Sequence, residues 1–95
     1  MFYEKRVTSF RALMKEVRVM DSDAGIRLVG EYGGHACYCF VTRFGELFTA
    51  MIYTRPGGKK GAPGRMLASV ELKSVEQLRK LLREISGSGV NAYVY

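Results

Sequence analysis

Apolar residues recur at helical spacing in two segments of the chain, residues 9–20 and 74–86. Thr8 or Ser9 stands where a cap of the first segment is expected, and Ser74 with Gln77 forms the capping-box pattern of the second. We therefore predict two amphipathic helices, the second ended by Gly87. Their apolar stripes are Phe10, Leu13, Met14, Val17 and Met20 in the first helix and Val75, Leu78, Leu81, Leu82 and Ile85 in the second.

Four β-rich segments separate these helices: residues 26–32, 35–43, 46–55 and 65–72. Gly33-Gly34 and Phe44-Gly45 are the expected two-residue hairpin turns. Residues 90–95 alternate and either add a short final strand or pair with another subunit. The pattern predicts one α+β domain over residues 1–95, with an N-terminal helix, a four-stranded antiparallel meander and a C-terminal helix packed on one sheet face.

The two turns predict which residues face each other across the hairpins. They pair Tyr32 with His35, Phe40 with Thr49 and Tyr38 with Met51, and opposed residues share a face of a sheet. One face is then apolar: Ile26, Leu28, Gly30, Tyr32, His35, Cys37, Cys39, Val41, Phe48, Ala50, Ile52, Met66, Ala68, Val70 and Leu72. The other mixes rings, arginines and hydroxyls: Arg27, Val29, Glu31, Tyr38, Phe40, Thr49, Met51, Tyr53, Arg65, Ser69 and Glu71. A mixed face of this kind is typical of a binding surface.

Charge favours the same region of the molecule. Of 95 residues, 15 are Lys or Arg and 9 are Asp or Glu, which leaves a net charge of +6. No acidic residue lies between Leu47 and Val70, and the glycine-rich loop over residues 55–64 falls within that stretch. Its flanks and centre carry four cations, Arg55, Lys59, Lys60 and Arg65. The loop is therefore expected to supply positive charge beside the mixed face.

Other classes of function receive little support from the residues. His-x-Cys-x-Cys at residues 35–39 spreads its side chains too far along a strand to hold one tetrahedral metal ion, so Cys37 and Cys39 are expected to be buried thiols. The glycine-lysine loop lacks the spacing of a phosphate-binding P-loop. We expect no catalytic residue, cofactor, bound metal or small-molecule substrate. Without a membrane span or a signal-peptide pattern, the expected location is the cytoplasm.

Rings flanked by cations bind single-stranded nucleic acid by base stacking and phosphate contacts, without reading sequence. The residues expected to do so are Arg27, Tyr38, Phe40, Met51, Tyr53, Arg55, Lys59, Lys60 and Arg65. Two alternatives stay open. The mixed face could instead be a protein-interaction or dimerisation surface, or the ligand could be RNA rather than DNA. A homodimer is expected.

The order of elements also resembles a known family. Residues 64–85 form a cation-bearing strand, a short break and a capped helix that begins Glu76-Gln77-Leu78, which looks like the end of transcriptional coactivators that bind single-stranded DNA. With a helix before the strands as well, residues 8–86 resemble the archaeal single-stranded DNA-binding proteins of the ThermoDBP type and their shorter relatives. The resemblance implies a sequence-tolerant binder whose surface is either an aromatic sheet face or a cleft between helix and sheet.

Overall fold

The hydrophobic repeats fold into six strands and two helices in the computed structural model, which describes residues 4–56, 64–87 and 89–95. The protein is α+β, as predicted. In chain order the elements are β1 (Lys5–Val7), α1 (Phe10–Val19), β2 (Gly25–Tyr32), β3 (His35–Phe44), β4 (Leu47–Thr54), β5 (Met66–Leu72), α2 (Val75–Ser86) and β6 (Asn91–Val94).

The strands form one antiparallel sheet in the order β1-β6-β2-β3-β4-β5. The four strands predicted between the helices correspond to β2–β5, each beside the next. The sheet nevertheless extends two strands further, because β6 lies beside β2 and β1 lies beyond β6. No strand was expected before the first helix. β1 has only three residues, too few to show a period, and it is defined by its pairing with the distant β6.

The two hairpins differ in how well their turns follow the prediction. Gly33-Gly34 forms the first turn with φ of 59° and 83°, as expected. In the second hairpin Phe44 pairs with Leu47, so the turn is Gly45-Glu46 and the predicted turn is wrong. Gly45 has φ of 62°, which suits glycine at the first central position. The predicted pairs Phe40–Thr49 and Tyr38–Met51 are replaced by Phe40–Met51 and Tyr38–Tyr53.

This shift in register leaves the faces of the sheet unchanged, because it amounts to two residues and side chains alternate with a period of two. A bulge between β4 and β5 does change which face of the sheet the first residue of β5 occupies. It places Met66, not Leu67, opposite Tyr53. Met66 therefore leaves the apolar face on which it was predicted, and its side chain is 45% exposed.

Both helices pack on the apolar face of the sheet. Ser9 and Ser74 cap them, each with its hydroxyl accepting a hydrogen bond from a backbone N–H three residues on. α2 crosses β2 so closely that a Cβ atom on Gly30 would overlap the carbonyl oxygen of Ile85. The core joins buried side chains of the helices and of the sheet: Leu13, Met14, Val17, Ile26, Leu28, Cys37, Cys39, Val41, Phe48, Ala50, Ile52, Leu78, Leu82, Ile85 and Ala92.

Candidate functional site

The sheet face opposite the helices, called the open face below, carries a row of alternating arginines and rings. Pairing across the six strands aligns one residue from each strand. In strand order the row is Arg6, Tyr93, Arg27, Phe40, Met51 and Ser69. Strand alternation puts all of them on the same side, since directly opposed residues share a face.

Three rings on the open face form a connected cluster. The Phe40 centroid lies 6.1 Å from that of Tyr38 and 5.8 Å from that of Tyr53, the latter in an edge-to-face arrangement. Tyr38 is only 8% exposed, whereas Phe40 and Tyr53 are half-buried. The structure therefore brings the three predicted rings together, with Tyr38 as a packed support and the other two available to a ligand.

Two arginines lie against rings of the open face, one of them against a ring outside this cluster. The Arg27 guanidinium carbon is 4.5 Å from the centroid of Tyr93, a close cation–π contact, and that of Arg55 is 6.0 Å from the centroid of Tyr38. Arg27 also pairs with Glu4, with 3.3 Å between Nη2 and Oε1. Arg27 and Arg55 thus keep their charge at the surface of an otherwise aromatic patch.

Three buried polar atoms of the open face have no hydrogen-bond partner among the described residues. They are Nε of Arg27, Nε of Arg55 and Oδ1 of Asn91, which β6 places beside Val29. A buried polar group without a partner costs about 1–3 kcal/mol, so such atoms are uncommon and call for an explanation. The described chain therefore satisfies only part of the hydrogen-bonding capacity of the two guanidinium groups and of the Asn91 amide.

The predicted site residues do not all join this patch. Arg27, Tyr38, Phe40, Met51, Tyr53 and Arg55 lie together on the open face. Arg65 precedes β5 and bonds to Thr54 through its backbone, its N–H donating to Oγ1 at 2.9 Å. Because the bulge puts Met66 opposite Tyr53, Arg65 is not aligned with the rings as predicted. Lys59 and Lys60 lie outside the described residues.

Sequence reasoning missed the part of the open face that the two terminal strands supply. Arg6, Tyr93 and Tyr95 extend the patch beyond β2. The alternation of residues 90–95 was a usable signal for a strand, but not for its neighbours in the sheet. Once β6 is placed beside β2, its odd-numbered residues necessarily share the face of Arg27.

The opposite side of the same strands offers little reactive chemistry. Burial raises the pKa of Cys37, and it raises the pKa of Cys39 to about 12, so both thiols stay protonated at neutral pH. His35 belongs to the apolar side by alternation, yet it is exposed at the start of β3. Among the described residues, no three His, Cys, Asp or Glu side chains are placed to hold a metal ion.

Comparisons with family models, curated proteins and solved structures found no match to this chain. The resemblance to archaeal single-stranded DNA-binding proteins therefore stays a prediction. Within the described part of the chain, neither helix has the length and apolar character needed to cross a membrane.

Proposed function

We propose that the open face binds single-stranded nucleic acid, with rings stacking on bases and arginines neutralising phosphates. The observation that carries the proposal is the placement of Arg27 and Arg55. Each guanidinium lies against a ring of the open face, 4.5 Å from the centroid of Tyr93 for Arg27 and 6.0 Å from that of Tyr38 for Arg55. A phosphate oxygen accepts hydrogen bonds from guanidinium groups, and a base covers a ring, so a single strand can contact both kinds of side chain.

The spacing of the row supports a strand that crosses the β-strands. Neighbouring strands lie about 4.8 Å apart, so the row from Arg6 to Met51 spans about 20 Å. Over its first four positions, from Arg6 to Phe40, charged and aromatic side chains alternate, as phosphates and bases alternate along a single strand of nucleic acid. The net charge of +6 would favour approach of such a polyanion.

The test is fluorescence anisotropy with a labelled mixed-sequence single strand of about 20 nucleotides. We expect binding that weakens between about 50 and 200 mM salt and that exceeds binding to a duplex of the same sequence. Phe40→Ala should weaken binding by about 1–3 kcal/mol, the usual contribution of one stacked base. Arg55→Gln should weaken binding and reduce the dependence on salt.

Arg79→Gln is the matched control. It removes the same charge from α2, on the other side of the sheet, where Arg79 pairs with the exposed Glu76. Its effect on binding should be small.

Absence of binding at low salt would overturn the proposal. If Phe40→Ala changed the sedimentation of the protein but left strand binding intact, the open face would be a protein interface. Competition with single-stranded RNA measures the preference between DNA and RNA.

A further inference from the structure

A cavity opens at one end of the open face. Its volume is about 320 Å³, and the described residues that line it are Glu4, Arg27, Phe40 and Tyr95. Glu4 immediately precedes β1, Arg27 and Phe40 belong to β2 and β3, and Tyr95 immediately follows β6. The volume is at the lower end of the range for small-molecule sites, which suits a single planar ring system.

The aromatic wall of this cavity depends on a glycine. Tyr95 pairs with Gly25, with its N–H 2.9 Å from the Gly25 oxygen and its own oxygen 2.8 Å from the Gly25 nitrogen. A Cβ atom on Gly25 would lie 2.6 Å from two ring carbons of Tyr95. The ring therefore lies directly over the glycine backbone, where any larger residue would displace it.

The polar wall offers acceptors and donors side by side. Glu4 Oε1 and Arg27 Nη2 are 3.3 Å apart, longer than the about 2.7–2.9 Å of a tight charge-assisted bond. Both side chains are partly exposed, and the buried Nε of Arg27 has no partner within the described chain. Burial raises the pKa of the Tyr95 phenol, so the ring is neutral near pH 7. A ligand can thus insert its own polar edge between the carboxylate and the guanidinium.

Guanine has the edge that fits this arrangement. It presents N1–H and the N2 amino group as adjacent donors, with O6 as an acceptor beside them. A carboxylate is an acceptor with two oxygens, and a guanidinium offers only donors. Adenine and cytosine each place an acceptor next to their amino group, and thymine has no amino group. Guanine is therefore the common base with two adjacent donors for Glu4 and an acceptor for Arg27.

We propose that the cavity takes one guanine base, with Glu4 accepting from N1–H and the N2 amino group, Arg27 donating to O6, and Phe40 or Tyr95 covering the ring. The inference deepens the proposed function and rests on it, since it assigns a base preference to one position of a strand held elsewhere by stacking. It makes the protein selective at that position and tolerant at the others.

The experiment compares three labelled oligothymidylates of about 12 nucleotides that carry thymine, guanine or hypoxanthine at one central position. Guanine should raise the affinity about tenfold over thymine. Hypoxanthine lacks only the amino group, so its affinity should fall in between. Glu4→Gln should remove the difference between guanine and hypoxanthine while leaving all three strands bound. Gly25→Ala, which displaces the Tyr95 ring, should reduce the preference for guanine by a second route.

The outcomes separate the two proposals. Equal binding of the three strands, with the expected salt dependence, would overturn the guanine site and leave the proposed function standing. Binding of free guanosine monophosphate without binding of any strand would support the cavity and refute the proposed function. If neither a strand nor the mononucleotide bound, both proposals would fail.

Discussion

At the scale of single residues, burial sets the chemistry of the two thiols. Cys37 and Cys39 are fully buried on the helix side of β3, and desolvation disfavours their charged form. Alternation along the strand was sufficient to predict their burial, which is confirmed. The same alternation assigns His35 to this side of the sheet, where it is nevertheless exposed. Alternation gives the side of the sheet but not how far the helices cover it, so the end of a strand can be exposed on its apolar side.

The raised pKa of Cys39 predicts how stability depends on pH. Its ordinary value is 9.0 and burial raises it to about 12, so the unfolded state loses the proton first. The contribution of the buried Cys39 thiol to the free energy of unfolding is fully present below pH 9.0 and is lost as the pH rises toward about 12. Urea unfolding of the protein should therefore show stability falling over that interval. In Cys39→Val the fall should be smaller, and an equal fall in both proteins would contradict the prediction.

At the scale of elements, the helix termini were easier to predict than the strand pairings. Caps depend on a few adjacent residues, and Ser9 and Ser74 act as expected. The second hairpin could turn at Phe44-Gly45 or at Gly45-Glu46. The positive φ of Gly45 suits the second pair, in which glycine is the first turn residue. The bulge before Ala68 arises from the fit of β5 to β4, for which the sequence holds no local signal.

The contact between α2 and β2 gives a prediction for Gly30. A Cβ at this position would overlap Ile85, including its backbone carbonyl oxygen, so Gly30→Ala must push the helix away from the sheet. We expect a loss of about 1–3 kcal/mol in the free energy of unfolding, as for other overpacked cores. Gly89→Ala is the control, since a Cβ there meets nothing within 4 Å. Equal unfolding midpoints of the two variants in urea would contradict this account of the contact.

At the scale of the whole molecule, the two ends of the described chain complete the sheet together. β6 lies between β1 and β2, so the first strand reaches the rest of the sheet only through the last. This long-range pairing explains why the sequence predicted the central four strands and left the cavity unseen. The local periodicity of apolar residues identifies individual helices and strands. The neighbours of a short strand in the sheet are instead fixed by contacts between residues far apart in the chain.

Removal of β6 should therefore affect more of the molecule than removal of β1. A chain that ends at Gly89 loses the strand that covers the edge of β2 and loses the buried Ala92. It should unfold at lower urea concentration and with a smaller dependence on urea, because less surface is buried in the folded state. A chain that begins at Thr8 loses the edge strand and the buried Val7 but keeps β6 beside β2, so it should change less, whereas loss of β6 also leaves β1 without its partner strand. Equal losses in the two chains would contradict this ordering.

The separation of Glu4 from Tyr95 in sequence also fixes when the cavity can form during synthesis. A nascent chain on the ribosome displays Arg27 and Phe40 well before Tyr95 has been made. Small domains tend to fold as units, and of the four described residues that line the cavity Tyr95 is the last to be made. A partial chain that stops short of Tyr95 therefore displays Arg27 and Phe40 without the aromatic wall, and its Gly25 lacks the ring that covers it in the folded protein.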